Sequence, residues 1–193
     1  MFKQYKHILF FAVLIITFLL IYLFVSDKEY KNNNFSEKFY PNLPANLDVI
    51  SKINIQSSTY SYTLLKKDNK WVLPDHFDYP INIKKINSFL LEMVNLKMLD
   101  KKTSDAKYYD KLGLSVPIKE DKNAKLVEIF NKEKKLLFNF IIGKKSKVAN
   151  KNNIFYIRKV NDKQAWIFLN NFNIYESELM WADSYLFKMG RWR

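Results

Sequence analysis

The sequence predicts an α+β fold behind one N-terminal transmembrane helix: an antiparallel meander of hairpins with helices packed on one face. Three observations predict it. Residues 8–25 contain no charged side chain. Three later stretches follow the same order of strand, turn rich in Asn, Asp or Lys, and apolar strand. Between them, Ile83, Ile86, Phe89, Leu90, Met93 and Leu96 recur at helical steps of three and four. The chain therefore divides into an anchor (1–26), a tether (27–45) and one domain (46–190).

The anchor comes first. Its 18 residues span about 27 Å as a helix, close to the hydrocarbon thickness of a bilayer. Fifteen of them are Ile, Leu, Phe or Val, each favouring insertion by roughly 0.3–0.6 kcal/mol at mid-membrane. Cleavage as a signal peptide is disfavoured, because a cut after Ser26 would leave bulky Phe24 where small residues are required. With no cysteine in the chain, a lipoprotein anchor is excluded. Lys3, Lys6 and the initiating amine precede the span without an acid, whereas Asp27 and Glu29 offset Lys28 and Lys31 after it. That bias keeps the N-terminus in the cytoplasm and places the domain on the other side of the membrane.

Residues 28–38, with Asn32-Asn33-Asn34 at their centre, read as the tether. Strands are expected at 49–56, 60–66 and 71–73, the last two joined by the turn Lys67-Asp68-Asn69-Lys70. Asn82 is placed to cap the amphipathic helix, whose stripe faces a sheet. Ser104 is placed to cap a shorter helix running to Asp110, and Gly113 stands where a helix ends left-handed. A second hairpin joins 126–130 to 136–142, and a third joins 154–160 to 165–169. Shared turn chemistry explains the likeness of the three hairpins without an internal repeat. A closing helix is expected over 174–187, exposing Glu176, Glu178 and Asp183.

Composition limits the function classes. Of 193 residues, 48% are apolar and 17% aromatic, enough for one packed core and against disorder. The net charge of +13 comes from 32 Lys+Arg against 19 Asp+Glu, yet only Arg158, Arg191 and Arg193 are arginine. Lysine is a hydrated point charge, so this composition favours weak attraction to polyanions over bidentate recognition, and no nucleic-acid reader is implied. Without cysteine there is no disulfide, thiolate metal site or cysteine nucleophile. His76 is the only histidine beyond the anchor edge, and Asp75-His76-Phe77-Asp78 between two prolines reads as a solvated turn. Gly143-Lys144-Lys145-Ser146-Lys147 lacks the upstream glycine of a phosphate loop, and three glycines in the whole chain build no cradle. No catalytic residue, metal site, cofactor or small-molecule substrate is expected. Lys144, Lys145, Lys147 and Lys151 concentrate charge in one stretch and are the candidates for contact with an anionic surface.

A family pattern runs through these elements. Lys70-Trp71-Val72-Leu73, Tyr79-Pro80 before a helix ending at Leu96, Tyr109 to Leu114 with its Gly-Leu step, Ile142-Gly143, Tyr156-Ile157-Arg158 and Trp166 follow one another. Their order resembles the bacterial domain-of-unknown-function family forty-three-forty over residues 47–189. The resemblance implies an extracytoplasmic domain behind an N-terminal membrane helix. Some such domains resemble, or are joined to, auxiliary parts of ABC-type transport systems, including those linked to gliding motility. It supplies no catalytic residues, and it makes Trp71, Gly113 and Trp166 fold-determining positions.

The expectation is thus a non-enzymatic, membrane-anchored accessory or scaffold domain with a protein partner in a bacterial envelope complex, an ABC-type transport system included. The alternative is a module holding an anionic lipid or envelope polymer through its lysine-rich loops. An enzyme would need a deep polar pocket around His76 and Arg158.

Overall fold

Alternating strands and tight turns build one nine-stranded, wholly antiparallel sheet in the computed structural model, which describes residues 13–19, 38–40, 47–116, 121–146 and 153–183. The described residues fall in two units divided between Asn34 and Phe35. In the first, residues 13–19 are helical. The rest of the 8–25 stretch lies outside the described residues. Among those described, no helix is long and apolar enough to cross a membrane.

In the second unit the strands are β1 (Ile50–Gln56), β2 (Ser61–Lys67), β3 (Lys70–Leu73), β4 (Tyr79–Pro80), β5 (Met98–Thr103), β6 (Lys125–Asn131), β7 (Leu136–Lys145), β8 (Ile154–Lys159) and β9 (Ala165–Leu169). Across the sheet they lie in the order β4-β3-β2-β1-β6-β7-β8-β9-β5. Two four-stranded meanders, β1–β4 and β6–β9, are thus joined through the pairing of β1 with β6. The β2–β3 turn has the predicted chemistry: Asp68 (φ 48°) and Asn69 (φ 62°) occupy the left-handed region that a two-residue hairpin demands.

The long helix, α1 (Ile83–Val94), begins where expected, the Asn82 side chain accepting from the backbone N–H of Lys84 and Lys85. Its buried face is Ile86, Phe89, Leu90 and Met93, worth roughly 1.5–3 kcal/mol each in water removed. Leu96, predicted as its last turn, lies beyond the helix, and its carbonyl receives the Phe39 N–H at 3.1 Å. The main core forms between α1 and one face of the sheet, drawing on Ile53, Ile55, Val127, Ile129, Phe140 and Ile157.

Not every helix packs on that face. A 3-10 turn (Ala106–Tyr108) leads into α2 (Tyr109–Leu112). Tyr109 and Leu112 join Ile141, Ile154, Tyr156, Ala165 and Ile167 in a second core. Side chains alternate along a strand, so Ile141 faces away from Phe140 and Ile142, and Tyr156 away from Ile157. The second core therefore lies on the opposite face, correcting the expectation of helices on one face. Its cap is Asp105, whose side chain accepts from the Lys107 N–H, rather than Ser104.

The closing helix is also corrected. Within 170–183 only Glu178–Trp181 is helical, as one 3-10 turn. The remainder crosses the α1 face irregularly, anchored by fully buried Trp181. Its indole N–H donates to the Tyr62 hydroxyl at 2.9 Å, which donates to the Tyr175 carbonyl at 2.6 Å. Burial pushes the Tyr62 pKa up, and the bond from Trp181 only partly offsets this. Ala182 then bridges Ile81 beside β4. Residues 184–187 of the expected helix lie outside the described residues.

Candidate functional site

A cleft of about 950 Å³ lies beside α2 and is lined by Tyr109, Asp110, Ser115, Asp121, Lys122, Lys144 and Arg158 among others. Next to two of its lining residues, Asn123 and Lys144, two glycines come into close contact. Gly113 ends α2 with φ 75°, and a Cβ there would meet the Gly143 Cα at 3.2 Å and the Lys144 nitrogen at 3.0 Å. A Cβ on Gly143 would lie 2.2 Å from the Leu112 carbonyl oxygen. No side chain fits there, which is why two of the three glycines stand at these positions. Opposite them the β7–β8 register shifts between Ile142 and Lys145, a bulge that lifts Gly143 and Lys144 toward α2.

Arg158 fastens the far wall. It is 6% exposed. Its Nη1 donates to the carbonyls of Lys159, Val160 and Asp162, and its Nη2 to that of Leu114 at 3.0 Å. The guanidinium stacks on the Tyr109 ring at 4.4 Å, and the Tyr109 hydroxyl donates to the Lys163 carbonyl. Burial lowers the Arg158 pKa, while Tyr109 and Asp162 act to raise it. Among the described residues no carboxylate forms an ion pair with it. This arginine is a staple between the β8–β9 turn and the end of α2.

The cleft carries both signs of charge. The Lys144 ammonium donates to the Asp110 carbonyl at 3.3 Å. The Asp110 carboxylate accepts from the Ser115 hydroxyl, and Asp121 accepts from the Asn123 N–H at 2.9 Å. Its polar groups suit the binding of a charged group near Lys144 and Lys122. Ser115 has a carboxylate neighbour but no histidine to act as a base. Among the described residues no group of three His, Cys, Asp or Glu could hold a metal.

Of the lysines singled out in the sequence, Lys144 lines this cleft and Lys145 ends β7 exposed. Lys147 and Lys151 lie outside the described residues. The role of Arg158 was missed; its signal was a lone arginine in an otherwise lysine-rich domain. His76 is not among the residues lining the cleft. It instead pairs with Glu178 at 2.5 Å, tying the β3–β4 turn to the chain after β9, so Glu178 is not the free surface acid expected. Next to it Phe77 (φ 55°) and Asp78 (φ 58°) are both left-handed, with Asp78 held by Lys67 at 2.5 Å.

Tyr109, Gly113-Leu114, Gly143, Tyr156 and Arg158, scattered along the sequence, meet around this one cleft and its supporting core, whereas Ile142 and Ile157 face the main core on the other side of the sheet. No curated protein and no solved structure matches the chain. The family model of the domain of unknown function DUF4340 matches residues 71–190, more than half of its length, and the chain belongs to that family.

Proposed function

We propose that the chain is a single-pass, membrane-anchored and non-enzymatic accessory domain of a bacterial envelope complex, with its N-terminus in the cytoplasm and its domain outside. The observation that carries this reading is the apolar stretch 8–25. In its described part Val13, Leu14, Ile15, Ile16, Phe18 and Leu19 are each at least 42% exposed. A helix apolar on every side has no face for water, and lipid is its natural cover. Thr17, its one hydroxyl there, is satisfied internally by the Leu14 carbonyl at 2.9 Å. An ABC-type transport system is proposed as the host complex because some such domains resemble, or are joined to, auxiliary parts of these systems.

The test is a mild-detergent pull-down of the tagged full chain, with partners identified by mass spectrometry. The reading expects a permease or ATPase in stoichiometric amount. Recovery of the chain alone would overturn the transport host.

A second reading, a binding module for an anionic lipid or envelope polymer, is favoured by Lys144 and Lys122 lining the cleft. Ionic strength separates the two. Polyanion binding fades toward physiological salt, where screening shortens to about 8 Å, while a packed protein interface persists.

A further inference from the structure

Lys84, Lys85 and Ser88 open α1, and Asn171-Phe172-Asn173 follows β9. The fold brings the two stretches together around a second cleft, of about 360 Å³, on the face of the sheet opposite α2. Lys84 and Ser88 lie one helical turn apart and so share a side of α1. Among the described residues no carboxylate lines this cleft. In the cleft beside α2, by contrast, Asp110 and Asp121 offset Lys122 and Lys144. The positive charge here is uncompensated.

Lys85 is the most telling residue. It is half-buried, its ammonium donates to the Met180 carbonyl at 2.5 Å, and it lies 5.4 Å from the centre of the Tyr175 ring. Neutral groups therefore fix its position, and no carboxylate pairs with it among the described residues. A charge drawn partly out of water without a counter-ion is costly, so an anion beside it gains more than at an open surface. The wall behind it is rigid and apolar, with Phe89 edge-to-face on Phe172 at 5.3 Å and on Trp181 at 5.5 Å. Lys84, Ser88, Asn171 and Asn173 are all exposed, and Lys84 forms no ion pair among the described residues. The backbone N–H groups of Lys84 and Lys85 are already taken by Asn82. Side chains, not the helix end, build the site.

We propose that this cleft holds a phosphate monoester, with Lys84 and Lys85 as its counter-ions and Ser88, Asn171 and Asn173 as neutral donors. Two ammonium groups suit a phosphate carrying nearly two charges better than a carboxylate carrying one. The adjoining trough points to what carries the phosphate. It measures about 320 Å³, shares Asn171 and Phe172 with the cleft, and passes Leu96, Leu99 and Leu169. Leu169 is 42% exposed at the end of β9, an apolar side chain that a hydrocarbon chain would cover. Glu92, one turn beyond Ser88 on α1, lines the trough and repels a second anion there. One phosphate at one end and an apolar chain along the other describe a lipid with a terminal phosphate. This site is separate from the cleft beside α2 and does not depend on it.

Titration calorimetry on the full chain in a neutral detergent tests this with two probes, glycerol 3-phosphate and dihexanoyl phosphatidic acid. The diacyl probe is expected to bind in one saturable step, at least about tenfold tighter than glycerol 3-phosphate, because its chains are covered by the trough. Lys84→Gln removes an exposed ammonium that holds nothing in the fold, and is expected to weaken diacyl binding at least about fivefold. Lys144→Gln, in the other cleft, is expected to leave it unchanged. Equal affinity for the two probes would overturn the lipid as carrier and leave a soluble phosphate as the ligand. No binding of either probe, or equal losses in Lys84→Gln and Lys144→Gln, would overturn the site itself.

Discussion

The outer faces of the two meanders differ in what their strands carry. On β7–β9 the outer face is closed by α2, and β7 reads as a near-continuous apolar run, Phe138-Asn139-Phe140-Ile141-Ile142, because both its faces are covered. On β1 and β2 burial alternates. Their outer positions bear a polar ladder, Thr63 donating to Asn54 at 3.1 Å and Asn54 to Glu128 at 3.4 Å. The same hairpin grammar thus yields a two-sided core in one half and a one-sided core with a polar row in the other. Strand periodicity reports how many faces are covered, and only secondarily that a strand exists.

Substitutions sharpen that contrast. The largest effect is expected from Gly143→Ala, whose Cβ would strike the Leu112 carbonyl. Backbone cannot give way there as a side chain would, so the loss should reach at least about 3 kcal/mol in urea unfolding. A near-neutral result would mean that α2 is not seated on β7. Arg158→Met comes next. It strips four carbonyls of their donor and should cost about 3 kcal/mol. Tyr62→Phe, on the main-core side, breaks the Trp181–Tyr62–Tyr175 relay and should cost about 1–2 kcal/mol. Asn54→Ala, in the polar ladder, should stay within about 0.5 kcal/mol; a loss matching that of Arg158→Met would erase the distinction between the faces.

Alkaline pH adds a test with a definite sign. Burial, then the Glu176 charge, pushes the Tyr60 pKa up to about 12, and burial raises that of Tyr40 as well. A raised folded-state pKa gives stability that is complete below the unfolded value of about 10 and is lost as pH rises toward the folded value. Urea midpoints should therefore be flat to about pH 10 and fall between about pH 10 and 12. Tyr60→Phe should flatten part of that fall.

Much of this was legible in the sequence because it is local. The Asp68-Asn69 turn, the Asn82 cap, the α1 stripe and the left-handed Gly113 each depend on residues within one turn of one another. Strand β5 was not legible: Met98-Leu99-Asp100-Lys101-Lys102-Thr103 is an edge strand with two register shifts and no alternation. Nor was the face taken by α2, which depends on the contact of Gly113 with Gly143, 30 positions away. Arg158 was visible only as an oddity of composition, since its four acceptors are carbonyls that no motif encodes. The stretch 174–187 looked helical from Leu179, Trp181 and Leu186, but the path of its described part, 174–183, is set by Tyr62, His76 and Lys85.

Fractionating cells that make the full chain, or one lacking residues 1–26, decides whether residues 8–25 hold the domain to the membrane. The full chain is expected to stay in the membrane pellet after an alkaline carbonate wash, and the shortened chain to be released as a folded soluble domain. Release of the full chain by the wash would rule out the anchor.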